Sequence, residues 1–248
     1  MNNQLLKKEI ERSALKFRGD SGYGPSDPIH LTSLLLKRNV ITLFRPLTGG
    51  LSGMAIKAPG DMRFMLINQT HIIGRQHFSI GHELYHLFIQ KDFTSQQCST
   101  ALFENQTDNE EKNADMFAAF LLLPEQGIVD LIPNEERLHK NKIKAETIFK
   151  IQQYFSLSIN AVIYRLIELG YIDKSYYNKF AFEKKSIARK LGYDMALYEA
   201  GNANKVIGDY GLIVNKLYEE KKISETYYLE LLNAINIDPF APSENGSE

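Results

Sequence analysis

The sequence predicts an α+β fold in which a small antiparallel sheet is followed by an all-helical region. Three β-rich segments lie close together between residues 40 and 68. Apolar residues recur at helical spacing both before and after those segments. Beyond residue 135 the chain has no strong strand pattern, whereas helical spacing continues to about residue 240. These three observations predict the class.

The composition is that of an ordinary globular protein. Of the 248 residues, 44% are hydrophobic and 24% charged, and the formal net charge is −1. This balance excludes a charged disordered chain and a protein that coats nucleic acid or membrane through bulk charge. The lone cysteine, Cys98, cannot form an internal disulfide. No apolar run approaches the roughly 20 residues of a membrane span, and the first residues lack a signal-peptide core, so we expect a cytoplasmic protein without a membrane partner.

Two helices are predicted before the sheet. Apolar residues recur every three or four positions over residues 3–17. Asp27 followed by Pro28 is typical of an N-cap and a first helical position, so a second helix is predicted to continue to about residue 37. The β-rich segments follow at residues 40–45, 51–57 and 62–68. Turn-forming residues between them predict an antiparallel meander.

Further helices are predicted after the strands. Thr70 can cap a helix over residues 71–90, and Pro124 ends another that begins near Asp108. A boundary is predicted near residues 125–135, where the character of the sequence changes. The predicted units are residues 1–130, which carry the sheet, 131–175, which carry a pair of helices, and 176–248, a C-terminal helical region.

The segment His82-Glu83-Leu84-Tyr85-His86 is an HExxH motif inside one of the predicted helices. Residues at i and i+4 share a helix face, so both imidazoles can approach one metal ion. Neutral imidazole is a good ligand for Zn²⁺. Glu83 lies about 100° around the helix and can still reach a water at the metal, where a general base is needed. The motif therefore predicts a single zinc ion per chain, with Glu83 as the catalytic base.

A catalytic zinc site needs a third protein ligand, and the next helix offers Glu111. Asp115 lies one turn later on the same face and can accept the second N–H of a ligating histidine. Glu111 could instead form a capping box with Asp108. Its neighbour Glu110 points about 100° away. We favour Glu111 as the third ligand and Asp115 as the carboxylate that supports a ligating histidine.

Asp92 is another candidate for the third ligand. Metzincins have the pattern HExxHxxGxxH, and some relatives use Asp at its last position. Here the glycine position is Ile89 and the last position is Asp92. Without glycine the chain cannot readily turn back toward the metal, so Asp92 is disfavoured.

The sequence resembles the ImmA/IrrE family of zinc metallopeptidases. The resemblance is carried by residues 75–86, RQHFSIGHELYH, and by Glu111, Ala114, Phe117 and Pro124 in the next helix. It spans about residues 5–170 and implies a minimal gluzincin-like core in residues 1–130. It also implies zinc ligands at His82, His86 and Glu111, with Glu83 as base. Family members typically cleave a regulatory protein, often a repressor with a helix-turn-helix.

The sequence departs from the family at two positions. Family members often have Asn at the position of Asp115 and Arg at that of His77. Neither change removes a ligand. A donor for the oxyanion of the tetrahedral intermediate is also needed, and His71, His77 and Tyr85 are the local candidates. The sequence leaves the choice among them open, although His77 is more typical of helix packing than of catalysis.

The pair of helices in residues 131–175 has the outline of a helix-turn-helix, with Ser158 as the cap of its second helix. That second helix offers one basic side chain, Arg165. A recognition helix needs several donors for bases and phosphates, so protein docking or core packing is favoured over DNA reading.

The HExxH motif therefore predicts a zinc endopeptidase, and the resemblance implies that its partner is a protein substrate, a transcriptional repressor. The alternative is a zinc-stabilised regulator that binds a repressor or nucleic acid through residues 134–190 without cutting. That segment has twelve Lys and Arg residues against six acidic ones. A nonproteolytic metal hydrolase is a third, weaker hypothesis.

Overall fold

The sheet is the scaffold of the N-terminal half. The computed structural model describes residues 3–91, 93, 95–98, 109–177 and 183–237. The strands are β1 (Val40–Arg45), β2 (Gly53–Ala58), β3 (Met62–Asn68), β4 (Ser95–Cys98) and β5 (Val206–Ile207). They form one five-stranded sheet in the order β4-β2-β3-β1-β5. The α+β class is thereby confirmed.

Two details of the predicted sheet are wrong. β2 and β3 form an antiparallel hairpin, but β1 pairs with β3 in parallel, so the sheet is mixed. In the sheet, β3 lies between β1 and β2, so the two strands that are consecutive in the sequence are not neighbours. The alternation of apolar residues along each strand is the same for either strand order, so it could not predict this. The C-terminal region is also not wholly helical, because β5 pairs antiparallel with β1 through Thr42 and Leu43.

The other regular elements of the described chain are helices. In the first half they are α1 (Asn3–Asp20), α2 (Leu31–Lys37), α3 (Ile73–Phe88), α4 (Asn109–Leu122) and α5 (Glu125–Leu131). In the second half they are α6 (Asn134–Arg137), α7 (Ala145–Phe155), α8 (Ile159–Glu168), α9 (Lys174–Tyr177), α10 (Lys184–Lys190), a 3-10 turn (Ala196–Tyr198), α11 (Tyr210–Glu219) and α12 (Glu225–Asn233).

The predicted helix caps are right in one case and wrong in two. Ser158 caps α8, because its side chain accepts a hydrogen bond from the Ala161 N–H. Asp27 does not cap α2: His30 does, and the Asp27 carboxylate accepts from the Gly24 N–H instead. Thr70 does not cap α3, since its hydroxyl donates to the side chain of Asn68. In both wrong cases, the side chain that was predicted as a cap hydrogen-bonds to a nearer polar group in the turn before the helix.

α3 is the central element of the core. It lies between the sheet and α4, and α1 also packs on α4. Gly81 makes the α3–α4 contact close, because a Cβ there would lie 2.8 Å from Leu122 Cδ1. Both faces of α3 are therefore covered, and its buried residues run almost without interruption from Phe78 to Leu87.

The turn of the α7–α8 pair packs directly on α3. The Ser158 N–H donates to the Gly74 carbonyl at 3.1 Å, and His77 Nδ1 lies 2.6 Å from the Ser156 carbonyl oxygen. Arg165 is 3% exposed and bonds to the Leu123 carbonyl and to Glu168, so it is not available to read DNA bases. One apolar cluster includes residues of α1, α3, α4, α7 and α8. The division into units at residues 130 and 175 remains a prediction.

Among the described residues, none of the helices combines the length and apolar character that a membrane crossing requires.

Candidate metal centre

Three side chains from two adjacent helices converge at the centre of the molecule. His82 and His86 lie one turn apart on α3, and Glu111 lies in the first turn of α4. Both histidines are fully buried and Glu111 is 8% exposed. His82 Nε2 lies 3.2 Å from His86 Nε2 and 3.2 Å from Glu111 Oε2, and His86 Nε2 lies 3.4 Å from Glu111 Oε1. Within the described part of the chain, this is the group of His, Cys, Asp and Glu residues that could hold a metal ion.

The spacing of these atoms fits a tetrahedral metal ion. Two ligand atoms that each lie about 2.0–2.1 Å from a tetrahedral Zn²⁺ are about 3.3–3.4 Å apart. The three observed separations run from 3.2 to 3.4 Å. Two imidazole nitrogens and one carboxylate form a ligand set that suits zinc and leaves a fourth position open. The residues present therefore fit the ion.

Hydrogen bonds on the far side of each ring direct the Nε2 atoms of both histidines toward one point. His82 Nδ1 lies 2.8 Å from Asp115 Oδ1, and His86 Nδ1 lies 2.5 Å from Gln90 Oε1. Because carboxylate and amide oxygens accept, the Nδ1 atoms of both neutral rings carry the proton. In this neutral form, in which the two histidines would bind a metal, both Nε2 lone pairs point at each other and at Glu111. Such converging lone pairs repel unless a positive charge lies between them.

The acidic surroundings are also visible in the pKa values of the two histidines. Burial opposes protonation of His82, but the hydrogen bonds of Asp115 and Glu111 and the charge of Glu83 outweigh it and raise its pKa to about 10. Burial and the adjacent His82 lower the pKa of His86. The carboxylates thus favour one positive charge in the cluster, and the second histidine is held neutral.

Glu83 lies beside this group on the side of the sheet. It is fully buried, and its carboxylate lies against the first residue of β2: a Cβ on Gly53 would be 2.5 Å from Glu83 Oε1. The side chain therefore occupies a space bounded by helix α3 and the β2 backbone.

The neighbouring acidic residues have other positions. Glu110 accepts a hydrogen bond from the Tyr85 hydroxyl at 2.7 Å. Asp92 and Asp108, the alternatives for the third ligand and for the capping box, lie outside the described residues.

The three oxyanion candidates differ in their surroundings. His77 contacts the α7–α8 turn through Ser156, and Tyr85 is 5% exposed and donates to Glu110. Burial and that carboxylate raise the Tyr85 pKa above its usual range. His71 is half-buried, and its Nδ1 has no hydrogen-bond partner among the described residues. Burial, and next the charge of Arg75, lower the His71 pKa to about 4.

Sequence reasoning missed three residues around the site. Gln90 supports His86, and it could have been noticed because it lies one helical turn further on. Phe93 stacks on the His86 ring with centroids 5.4 Å apart, and Gly53 of β2 contacts Glu83 of α3. The sequence gives no signal for the last two, because loop geometry and strand order determine both contacts.

The family is identified by a comparison with protein-family models. The model of peptidase family M78, described as the IrrE N-terminal-like domain, matches residues 37–167, more than half of the chain. This chain belongs to that family. The M78 match spans β1 to β4 and both helices that carry the histidines and Glu111. No curated protein matches the chain.

Membership of M78 makes the chain a peptidase by family, with a buried His-His-Glu group that could hold a metal ion. The M78 match ends within α8. The segment from α9 to α12, which includes β5, lies beyond it.

Proposed function

We propose that this protein is a zinc-dependent endopeptidase that cleaves a helix-turn-helix transcriptional repressor in the cytoplasm. The observation that carries the catalytic part of this proposal is the buried group of His82, His86 and Glu111, at tetrahedral spacing and beside Glu83. It lies within a domain of a peptidase family. The repressor as substrate is supported only by the resemblance described above.

His82, His86 and Glu111 are the residues that would hold one Zn²⁺ per chain. Asp115 and Gln90 fix the tautomer and the plane of the two rings, and Phe93 covers the His86 ring. When bound, zinc acts as a Lewis acid that polarises a peptide carbonyl and makes a water more acidic.

Glu83 is the proposed general base. Its carboxylate takes a proton from the attacking water and delivers it to the nitrogen of the leaving amine, so that the C–N bond breaks with a neutral leaving group.

His71 is the candidate we favour as a donor to the substrate. His77 and Tyr85 already contact Ser156 and Glu110, respectively. His71 has a polar atom without a partner among the described residues, and it lies one turn before Arg75, whose guanidinium donates to Ser52 next to Gly53.

The decisive experiment compares three glutamate substitutions in the purified protein. Glu83→Gln should keep equimolar zinc but cleave a repressor encoded by a neighbouring gene at least about 10²-fold more slowly, because the base is lost. Glu111→Gln should lose zinc. Glu110→Gln is the matched control, since Glu110 bonds to Tyr85, and it should keep both zinc and cleavage. A wild-type protein that folds without binding zinc would refute the proposal.

A nonproteolytic regulator is the second candidate function. The loop before α7 exposes Lys140, Lys142 and Lys144 together with Leu138, which is 73% exposed. Such a surface can bind an acidic partner without any hydrolysis. In that case Glu83→Gln would leave the biological output unchanged, and replacing the three lysines by Gln would weaken partner binding in a salt-dependent way.

A further inference from the structure

We infer that Gly53 is a positioning residue of the active site, whose missing side chain provides the space in which the Glu83 carboxylate is held. This inference rests on the proposed role of Glu83 as general base. The observation behind it is independent of that role. A Cβ on Gly53 would lie 2.5 Å from Glu83 Oε1 and 3.1 Å from both Cδ and Cγ.

Residue 53 must be glycine because a side chain has no space there, and not because of its backbone conformation. Its backbone does not adopt the positive φ that favours glycine, and it begins the regular strand β2. Any residue could adopt that backbone conformation. Carbon and oxygen atoms separated by 2.5 Å overlap strongly, so either the strand, the helix or the glutamate side chain must move when a methyl group is added.

The strand cannot move away easily. Gly53 is paired with Ile67 of β3 on one side and with Cys98 of β4 on the other. The preceding residue, Ser52, is fully buried; its carbonyl accepts from the Asn68 N–H at 3.0 Å and its hydroxyl accepts from Arg75 at 3.1 Å. Hydrogen bonds therefore fix β2 on both edges and at its start.

The helix cannot move away easily either. On the opposite side of α3, Gly81 already lies in tight contact with α4, where a Cβ would be 2.8 Å from Leu122 Cδ1. The softest of the three partners is the Glu83 carboxylate, which is the end of a flexible side chain. A methyl group on residue 53 should thus displace the carboxylate and leave the fold intact.

The first test is a kinetic comparison of Gly53→Ala with the wild type, on the repressor that the wild type cleaves. We expect kcat to fall by about 10- to 100-fold, because a general base must lie within hydrogen-bond reach of the proton it takes. KM should change by less than about threefold and zinc should remain equimolar. Gly211→Ala is the control, since a Cβ on Gly211 meets nothing within 4 Å. Unchanged kcat in Gly53→Ala would refute the inference.

The second test does not depend on activity. In metal-free protein, Gly53→Ala should lower Tm by about 2–4 °C, the shift that corresponds to roughly 1 kcal/mol in a chain of this size. The same substitution in a Glu83→Ala background should cause no loss, because the overlapping atoms are gone. Equal losses in both backgrounds would overturn the inference.

Two further outcomes are informative. If Gly53→Ala does not fold, a folded Gly53→Ala/Glu83→Ala protein supports the contact, and a double variant that also fails to fold refutes it. If the wild type cleaves no repressor, the proposed function fails, whereas the Tm comparison still decides whether Gly53 holds the Glu83 side chain in place.

Discussion

Each histidine of the candidate site is fixed by a residue that does not face the metal position. Asp115 accepts from His82 at 2.8 Å, and Gln90 accepts from His86 at 2.5 Å. These two contacts differ in charge, since only Asp115 is a carboxylate. A carboxylate behind an imidazole increases the basicity of the nitrogen that faces the metal. Asp115 is therefore the more influential of the two.

Asp115→Ala should weaken zinc binding by about 10- to 100-fold, the usual effect of losing such a partner. Asp115→Asn should weaken it less, because the amide oxygen still accepts from His82 Nδ1. The measurement is zinc affinity by competition with a chelator. An alanine variant with wild-type affinity would show that Asp115 has no part in orienting His82.

His71 should make the folded protein sensitive to mild acid. Burial and Arg75 lower its pKa to about 4, whereas an unfolded chain takes up the proton near pH 6.5. The unfolded state thus binds more protons between these values, and stability falls as pH decreases from about 6.5 to 4. In metal-free protein, the pH dependence of the free energy of unfolding should be shallower in His71→Gln than in the wild type. Parallel curves would contradict the assigned pKa.

At the level of elements, the main chain of α3 packs directly against the main chain of the α7–α8 turn. A Cβ on Gly74 would lie 2.7 Å from the Ser158 nitrogen and 2.8 Å from the Leu157 carbonyl carbon. Unlike the glutamate beside Gly53, these atoms belong to the main chain and cannot rotate away. The helix pair and the helix that carries both histidines are therefore held at a fixed distance.

Gly74→Ala should destabilise the protein by about 1–3 kcal/mol, a typical effect of overpacking. Chemical denaturation measures this loss, with Gly211→Ala as the control in open space. The two glycine substitutions should differ in their effects. Gly74→Ala should mainly lower the free energy of unfolding, whereas Gly53→Ala should mainly lower kcat. A Gly74→Ala protein as stable as the wild type would mean that the turn can shift away from α3.

The sequence predicts elements better than the way they pair. The spans of β1 and β3 agree with apolar segments bounded by turn residues, and α3 is predicted within two residues at each end. The parallel β1–β3 pair and the short β5 were not predictable, because strand order depends on which chain segments meet in space. The shared face of His82 and His86 follows from helix periodicity, whereas Glu111 is one of several candidates for the third ligand. The contact of Glu83 with Gly53 cannot be predicted, since it joins a helix to a strand that is distant in the sequence.

At the level of the whole molecule, a segment beyond the family match extends over the start of α3. The Ile73 N–H donates to the Glu199 carbonyl at 2.9 Å, and the Phe44 N–H donates to the Lys205 carbonyl at 3.0 Å. The same segment continues into β5 at the edge of the sheet. The C-terminal region therefore supports both the sheet and the helix that carries the histidines.

Gln76 is the main polar link between that segment and α3. It is fully buried, and its amide nitrogen bonds to the carbonyls of Gln69, His71 and Gly201, the last at 3.0 Å. Its amide oxygen accepts from Asn202 at 3.0 Å. This α3 side chain thus bonds to polar groups from two other parts of the chain, residues 69–71 and 201–202.

Gln76→Leu should leave those buried carbonyls without a donor and lower the free energy of unfolding by on the order of 1–3 kcal/mol. Amide hydrogen exchange should then increase at residues 199–207 and at the first turn of α3, because the two segments lose their shared partner. Asn202→Ala removes a single hydrogen bond and should give a smaller effect of the same kind. If exchange increases only within α3, the C-terminal segment is held by β5 and by its backbone hydrogen bonds to Ile73 and Phe44, and Gln76 does not couple it to the helix that carries His82 and His86.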